Sequence, residues 1–139
     1  MTTLNRAFLF IVVLLLAGCA ALLPDAPPEP SRNAAVMALF DQAQTQLSAG
    51  QLEAAGASLE RALRIEPRNP RLWQELARLR LEQGQYRQAE NLAAKANAFA
   101  GDDQRLSAEN WRIIGLARSQ LGDVQGAQAA FERAERGNN

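Results

Sequence analysis

The residue best placed to do chemistry is Cys19, the only cysteine of the 139-residue chain, which has no histidine at all. The commonest general base and the commonest transition-metal ligand are therefore both missing. A lone thiol also excludes an internal disulfide and a thiolate zinc site. What remains are carboxylates. Glu132 with Glu135, or Glu75 with Glu82, could be cast as an acid–base pair for hydrolysis, and Asp102-Asp103 beside Gly101 as the start of a calcium loop. Neither pattern is complete. No phosphate-cradling glycine loop or nucleophile motif accompanies the glutamates, and the later acidic ligands of a calcium loop are missing. Capping of a helix start by Asp103 or Ser107 uses the same residues. The expectation is a protein that is not an enzyme, with no metal and no cofactor apart from what Cys19 carries.

Composition narrows the partners and the fold. Fifteen basic residues balance 15 acidic ones, so no global field draws the chain to nucleic acid, and electrostatic partners must be recognised locally. Hydrophobic residues make up 47%, but aromatics only 6%. Alanine dominates the apolar set, which suits closely packed helices better than a thick sheet sandwich. The length allows one small all-α core.

The elements that position Cys19 are a leader and a linker. Arg6 is followed by Ala7 to Leu16 without a polar side chain, the pattern of a secretory leader. Ten apolar residues cover only about 15 Å, half of the hydrocarbon slab, which makes an uncleaved span the weaker reading. From Ala20 to Arg32 the chain carries Pro24, Pro27, Pro28 and Pro30 among small and acidic residues. Such a segment favours extended polyproline II and reaches roughly 40 Å.

Leu16-Ala17-Gly18-Cys19 resembles a bacterial lipobox. The resemblance implies attachment of diacylglycerol to Cys19, cleavage before it, and acylation (a palmitate-type chain) of the new amino terminus. A secretory leader cut after a small residue such as Ala21 is the competing reading. Two or three acyl chains, at about 0.8 kcal/mol per buried methylene, make a lasting anchor. Ala20 and Ala21 follow the cysteine where an aspartate would retain such lipoproteins in the inner membrane, so the resemblance implies the periplasmic face of the outer membrane. The expected organisation is a signal peptide over 1–18, the lipidated cysteine and Pro-rich linker over 19–32, and a folded domain over 33–139.

Within that domain the chain repeats itself. Gly50, Gly84 and Gly122 each precede an alanine by five residues, Ala55, Ala89 and Ala127; Ala62, Ala96 and Ala134 recur seven residues later. Trp73 and Trp111 precede their glycines by eleven residues. The first two glycines are 34 residues apart and the next pair 38, so four residues are inserted near Gly101-Asp102-Asp103. Each glycine sits where a helix must stop and turn, and Asn69-Pro70 and Asp123 read as helix starts. Six helices are predicted, over roughly 33–49, 52–65, 70–83, 86–100, 105–121 and 124–136. Trp73, Trp111 and Phe131 are expected to fill the gaps between layers, and Leu63 and Ile65 to meet the following unit. Glu135 and Gly137 are expected to let the last unit face water as its own cap.

These residues resemble the tetratricopeptide repeat, a helix-turn-helix unit with a large residue at its fourth position and small ones at its eighth, twentieth and twenty-seventh. Leu39, Ala43, Gly50, Ala55, Leu59, Ala62 and Pro67 match in the first unit. Trp73, Leu76, Ala77, Gly84, Tyr86, Ala89 and Ala96 match in the second, and Trp111, Ile114, Gly115, Gly122, Ala127, Phe131 and Ala134 in the third. Gln46, Arg80 and Arg118 stand where the family usually has an aromatic, Ala93 where it has a bulky residue, and Gly101 where it has proline. The resemblance implies a short right-handed α-solenoid of about three units (36–69, 70–103 and 108–139), with the first helices lining a concave groove. Carried over, the groove residues are Met37, Phe40, Gln44 and Leu47, then Arg71, Gln74, Arg78 and Leu81, then Glu109, Arg112, Leu116 and Ser119.

Such a groove would take a segment of another envelope protein, with a hydrophobic anchor on Met37 and Phe40 and a carboxylate on Arg71, Arg78 or Arg112. The bland alternative pairs those arginines with Glu75, Glu82 and Glu109 on solvated faces. The lysine–asparagine clamp with which related domains hold a terminal carboxylate is missing. The leading reading is a membrane-anchored adaptor serving pilus, secretion, protease-docking or cell-wall assembly. Homo-oligomerisation through the Phe40 face is the alternative, and a carboxylate-dependent hydrolase a distant third.

Overall fold

The computed structural model describes residues 32–137. The described chain is six α-helices: α1 (Ala34–Ser48), α2 (Leu52–Ile65), α3 (Pro70–Glu82), α4 (Tyr86–Phe99), α5 (Gln104–Gln120) and α6 (Val124–Arg136). They form three stacked helix-turn-helix units, a short α-solenoid. Consecutive helices pack along the chain, and α3 also touches α5. None of the described helices is long and apolar enough to cross a membrane. Cys19, with Leu16, Ala17 and Gly18 before it and the proline-rich linker after it, lies outside the described residues.

Local chemistry sets the boundaries. Asn33, Asn69, Asp103 and Asp123 cap α1, α3, α5 and α6, each side-chain oxygen accepting a backbone N–H of the first turn. Pro70 follows its cap at the first helical position of α3, where its missing N–H costs nothing. Within each unit the turn is closed by a glycine with φ of 70°, 71° or 81° at Gly50, Gly84 and Gly122. The residue after each donates to a carbonyl five positions back, as from Gln85 N to Arg80 O at 2.8 Å. This closure satisfies helix-end carbonyls and requires a left-handed residue that only glycine adopts without strain.

The four-residue insertion makes no loop. The connections Glu66–Asn69 and Ala100–Asp103 are the same length, and Gly101 turns with φ of 55° where proline was expected. The extra residues are the first turn of α5, which has 17 residues against 13 in α3. Asp103 Oδ1 accepts from Leu106 N at 2.9 Å, so the carboxylate that suggested a calcium loop is a cap. Four residues are about 1.1 helical turns. The added turn therefore shifts the packing face by only about 40° and continues the interface with α3.

Two cores result. Between the first and second units lie Val36, Leu39, Leu59, Leu63, Leu72, Leu76 and Leu79. Between the second and third lie Ala77, Ala89, Ala93, Ile113, Ile114, Ala117 and Ala130. Alanine lets helices approach closely, and Gly115 does the same for α5 and α6, since a Cβ there would lie 2.5 Å from a ring carbon of Phe131.

Several expectations need correction. Ile65 does not meet the next unit but is 44% exposed, while Leu63 is buried. Trp73 packs on the first core and Trp111 on the second, each half-buried with a cation over its ring, Lys95 at 4.1 Å and Arg133 at 4.5 Å from the ring centres. These are equivalent pairs in successive units, and such contacts contribute about 0.5–1 kcal/mol at exposed sites. The last unit is not a wholly polar cap, since Leu116, Leu121 and Val124 are exposed alongside Glu135. Where aromatics are usual, polar side chains cross between helices: Ser58 Oγ donates to Gln46 Oε1, Arg80 to Glu60 Oε1, and Arg118 to Glu90 Oε1, at 2.7–2.8 Å.

Candidate functional site

The first helices of the three units, α1, α3 and α5, present most of the residues assigned to the groove, but in three different conditions.

At the α1–α3 end there is an open cavity of about 250 Å³ lined by Val36, Met37, Phe40, Asp41, Asn69, Arg71 and Leu72. Val36 and Leu72 are buried, whereas Met37 is 50% exposed. The wall exists because Phe40 packs sideways on the first core, leaving Met37 one turn earlier without a covering side chain. Asn69 is fixed by its cap to Arg71 N at 3.1 Å and by donating to Glu66 Oε2 at 2.8 Å.

A second cavity of about 180 Å³, polar in character, is lined by Arg71, Gln74, Asp103, Arg105, Leu106 and Glu109. Arg71 belongs to both. No ion pair engages the Arg71 or Arg112 guanidinium among the described residues. Arg105 is 89% exposed and only 3.8 Å from Glu109.

The middle of the face is self-satisfied. Arg78 contacts Glu109 on α5 at 2.6 Å and Glu75 on its own helix at 3.5 Å, so it has less to offer a ligand than Arg71. Gln74 also departs from its expected role. It is 6% exposed, and its amide nitrogen donates to Leu106 O at 3.3 Å and Asn110 Oδ1 at 2.9 Å. Asn110, fully buried, donates in turn to Asn97 Oδ1 at 3.0 Å. The reason is the added turn of α5, which brings Leu106 over α3 and encloses the Gln74 amide. Burial pushes the Glu75 carboxyl above its usual range, opposed by Arg78 and a hydrogen bond from Gln44 and reinforced by the charges of Glu109 and Glu82.

The remaining residues scatter. Leu47 packs on the first core and Leu81 on the second. Leu116 is exposed, and Ser119 borders a third cavity with Val124 and Phe131 near the C-terminal end. Sequence reasoning missed Asp41, Asn69 and Leu72 in the first cavity and Arg105 in the second. Arg105 stands four residues before Glu109 within the helix already predicted over 105–121, so that spacing was legible, whereas the packing of this turn against α3 was not. Among the described residues no group of three or more acidic side chains is placed to hold a metal ion. The described domain is a helical-repeat module whose open feature is the pair of adjoining cavities along α1, α3 and α5.

Comparison with known proteins identifies the repeat. A tetratricopeptide-repeat family model matches residues 46–108. The globular C-terminal domain of LpoP from P. aeruginosa is 40% identical in sequence, with a TM-score of 0.72 over 76% of this chain and 99% of that domain. The chain belongs to the tetratricopeptide-repeat family. Its fold is also similar to the N-terminal domain of stress-induced protein-1 (STI-1) from C. elegans, at 18% identity and a TM-score of 0.72, covering 78% of this chain and 88% of that one. A further likeness is the second repeat domain of Spaghetti (RPAP3), solved with the HSP90 peptide SRMEEVD, at 21% identity and a TM-score of 0.67 over 74% and 92% of the two chains. No curated protein sequence matches the chain.

Proposed function

We propose that this protein is a lipid-anchored adaptor on the periplasmic face of the outer membrane, which holds another envelope protein through the face formed by α1, α3 and α5. The fold is a protein-interaction scaffold, as in the repeat domains it resembles. The observation that carries the reading is the cavity between α1 and α3. Met37 there stands half exposed beside Arg71, whose guanidinium has no ion pair among the described residues, so an apolar surface and a fork of donors are open side by side to a partner's side chains. The anchor is assigned to Cys19 within Leu16-Ala17-Gly18-Cys19, with the proline-rich stretch before Arg32 as its tether. The 40% identity with LpoP across nearly all of that domain supports reading the repeat domain as one complete module of this kind.

Two measurements test this. A photo-crosslinking amino acid at Met37 should trap one defined envelope protein in cells. A second copy at Leu121, at the far end of the stack, should not. Replacement of Phe40 and Arg71 together should abolish that adduct while leaving helical circular dichroism intact; an undiminished adduct rules out the face. Cys19→Ala should move the protein from the membrane to the soluble fraction and abolish palmitate labelling. Self-association has exposed Leu121 and Val124 in its favour, and crosslinks between copies from Leu121 would establish it instead.

A further inference from the structure

We infer that the α1–α3 end of this face recognises an internal acidic–apolar pair in its protein partner: one bulky apolar side chain, aromatic or leucine, with a glutamate or aspartate beside it. The inference rests on the adaptor reading and specifies what the adaptor reads.

Size sets the first half of the motif. Sites for whole small molecules run from about 300 to 1,000 Å³, and an enclosed void of roughly 150 Å³ accepts a benzene ring. The apolar cavity, at about 250 Å³, lies between, the scale of one anchoring side chain. Its walls are Val36, Met37, Phe40 and Leu72. Methionine adapts to anchors of different shape, and it is the wall residue left most exposed.

Charge sets the second half. Arg71 lines the apolar cavity and the adjoining polar one, so a group bound to its guanidinium sits directly beside the anchor. Arg71 is in the first turn of α3 and Arg105 in the first turn of α5, and neither turn contains an acidic residue. Both helix N-termini are already capped, by Asn69 on α3 and by the Asp103 carboxylate on α5, so the guanidiniums and not the helix ends are what a partner carboxylate meets. The acidic residues nearby are already committed: Asp103 caps α5, and Glu109 is held by Arg78. An arginine fork without an ion pair matches a carboxylate in bidentate fashion. Asp41, on the α1 wall, accepts a partner N–H or a cation and turns away a second carboxylate, which gives the motif a direction.

The test uses the full-length protein in detergent micelles and a fluorescein-labelled octapeptide of serine and glycine with a central Glu-Phe, acetylated and amidated so that no terminal carboxylate contributes. Fluorescence anisotropy reads binding. Gln-Phe and Glu-Ala peptides should each bind at least tenfold more weakly than Glu-Phe. Arg71→Gln should weaken Glu-Phe about tenfold but leave Gln-Phe unchanged, since the arginine and the carboxylate act as one pair. Arg78→Gln, which removes a guanidinium already held by Glu109, should change affinity less than threefold. Met37→Ser should weaken both Phe-containing peptides. The inference is overturned if Gln-Phe binds as well as Glu-Phe, if Arg71→Gln and Arg78→Gln are equivalent, or if no Glu-Phe binding develops up to millimolar peptide. Tighter binding of laurate than of the peptide would overturn it in favour of a lipid. A dimer that Met37→Ser dissociates would overturn it in favour of a second copy. Should the peptide fail while the Met37 crosslink still traps one envelope protein, the adaptor reading stands and only the motif is lost.

Discussion

The two junctions of this solenoid are made of different material. Where the first unit meets the second, leucine fills the space: Leu39, Leu59, Leu63, Leu72, Leu76 and Leu79 are all buried. The junction of the second and third is mostly alanine with Ile113 and Ile114. Surface polar pairs cross both junctions, Arg80 with Glu60 at the first and Arg78 with Glu109 at the second, but among the described residues the second also holds a buried amide chain from Gln74 through Asn110 to Asn97. Apolar volume is indifferent to direction, so the first junction can hold its helices firmly and still leave an unfilled cavity at its edge. Hydrogen bonds are directional, and the second junction commits Gln74, Asn110, Arg78 and Glu109 to one another. The apolar opening therefore falls at the leucine end and the polar one at the other.

Removing volume should separate the junctions most clearly. Leu59 is fully buried in the first core, and Leu59→Ala should cost roughly 3–5 kcal/mol, the transfer loss plus the cavity left behind. In a stack where units contact only their neighbours, hydrogen exchange should show α1 and α2 losing protection before α5 and α6. Uniform loss along all six helices would mean that the two cores unfold as one and that the contrast has no energetic content.

Breaking the amide chain should cost less. Asn110→Ala leaves Asn97 Oδ1 without its donor and deprives Gln74 of one acceptor, while Gln74 keeps Leu106 O. An unsatisfied buried group costs about 1–3 kcal/mol, and denaturant midpoints should fall by that amount with an unchanged slope. Asn97 Nδ2 already lacks a partner among the described residues, so the network is incomplete at one end, and Asn97→Ala should be the milder change. A loss from Asn110→Ala equal to that from Leu59→Ala would show that direction counts for as much as volume here.

The same division explains what could be seen in advance. Helix bounds were legible to about a residue because their determinants are local: a left-handed glycine, an asparagine or aspartate cap, a proline at the first position. The alanine columns were legible because the repeat displays them three times. Gln74 was not, since its partner Asn110 is more than thirty residues away; for Arg78 the alternative reading already named Glu75 and Glu109, and what the sequence left open is which of the arginines they hold. Which arginine is spent depends on where α5 lies over α3. That in turn depends on the inserted turn, which the sequence already reads as a helix start capped by Asp103 or Ser107 but whose position over α3 only the stacking fixes. Exposure of Ile65 and the cation covers of the tryptophans are likewise consequences of stacking.

Glu75 lies on the boundary between the two regions and gives the finest test of their separation. Gln44 of the first unit donates to it, Arg78 lies beside it, and Glu109 of the third unit opposes it. Burial is the main cause of its raised pKa. With the folded pKa above the unfolded one, the native state binds more protons between the two values, so stability falls as pH rises through that window. The penalty is absent below the ordinary carboxyl range and complete above the folded pKa. Glu75→Gln removes the titration and keeps an amide that can meet Gln44. Urea midpoints from pH 4 to 7 should therefore show the variant gaining on the parent as pH increases, the smallest of the three effects. A pH-independent difference would mean that Glu75 is effectively solvated. In that case the first and third units would not be in electrostatic contact across the face, and the leucine end would be free to bind its ligand without regard to the charges at the other.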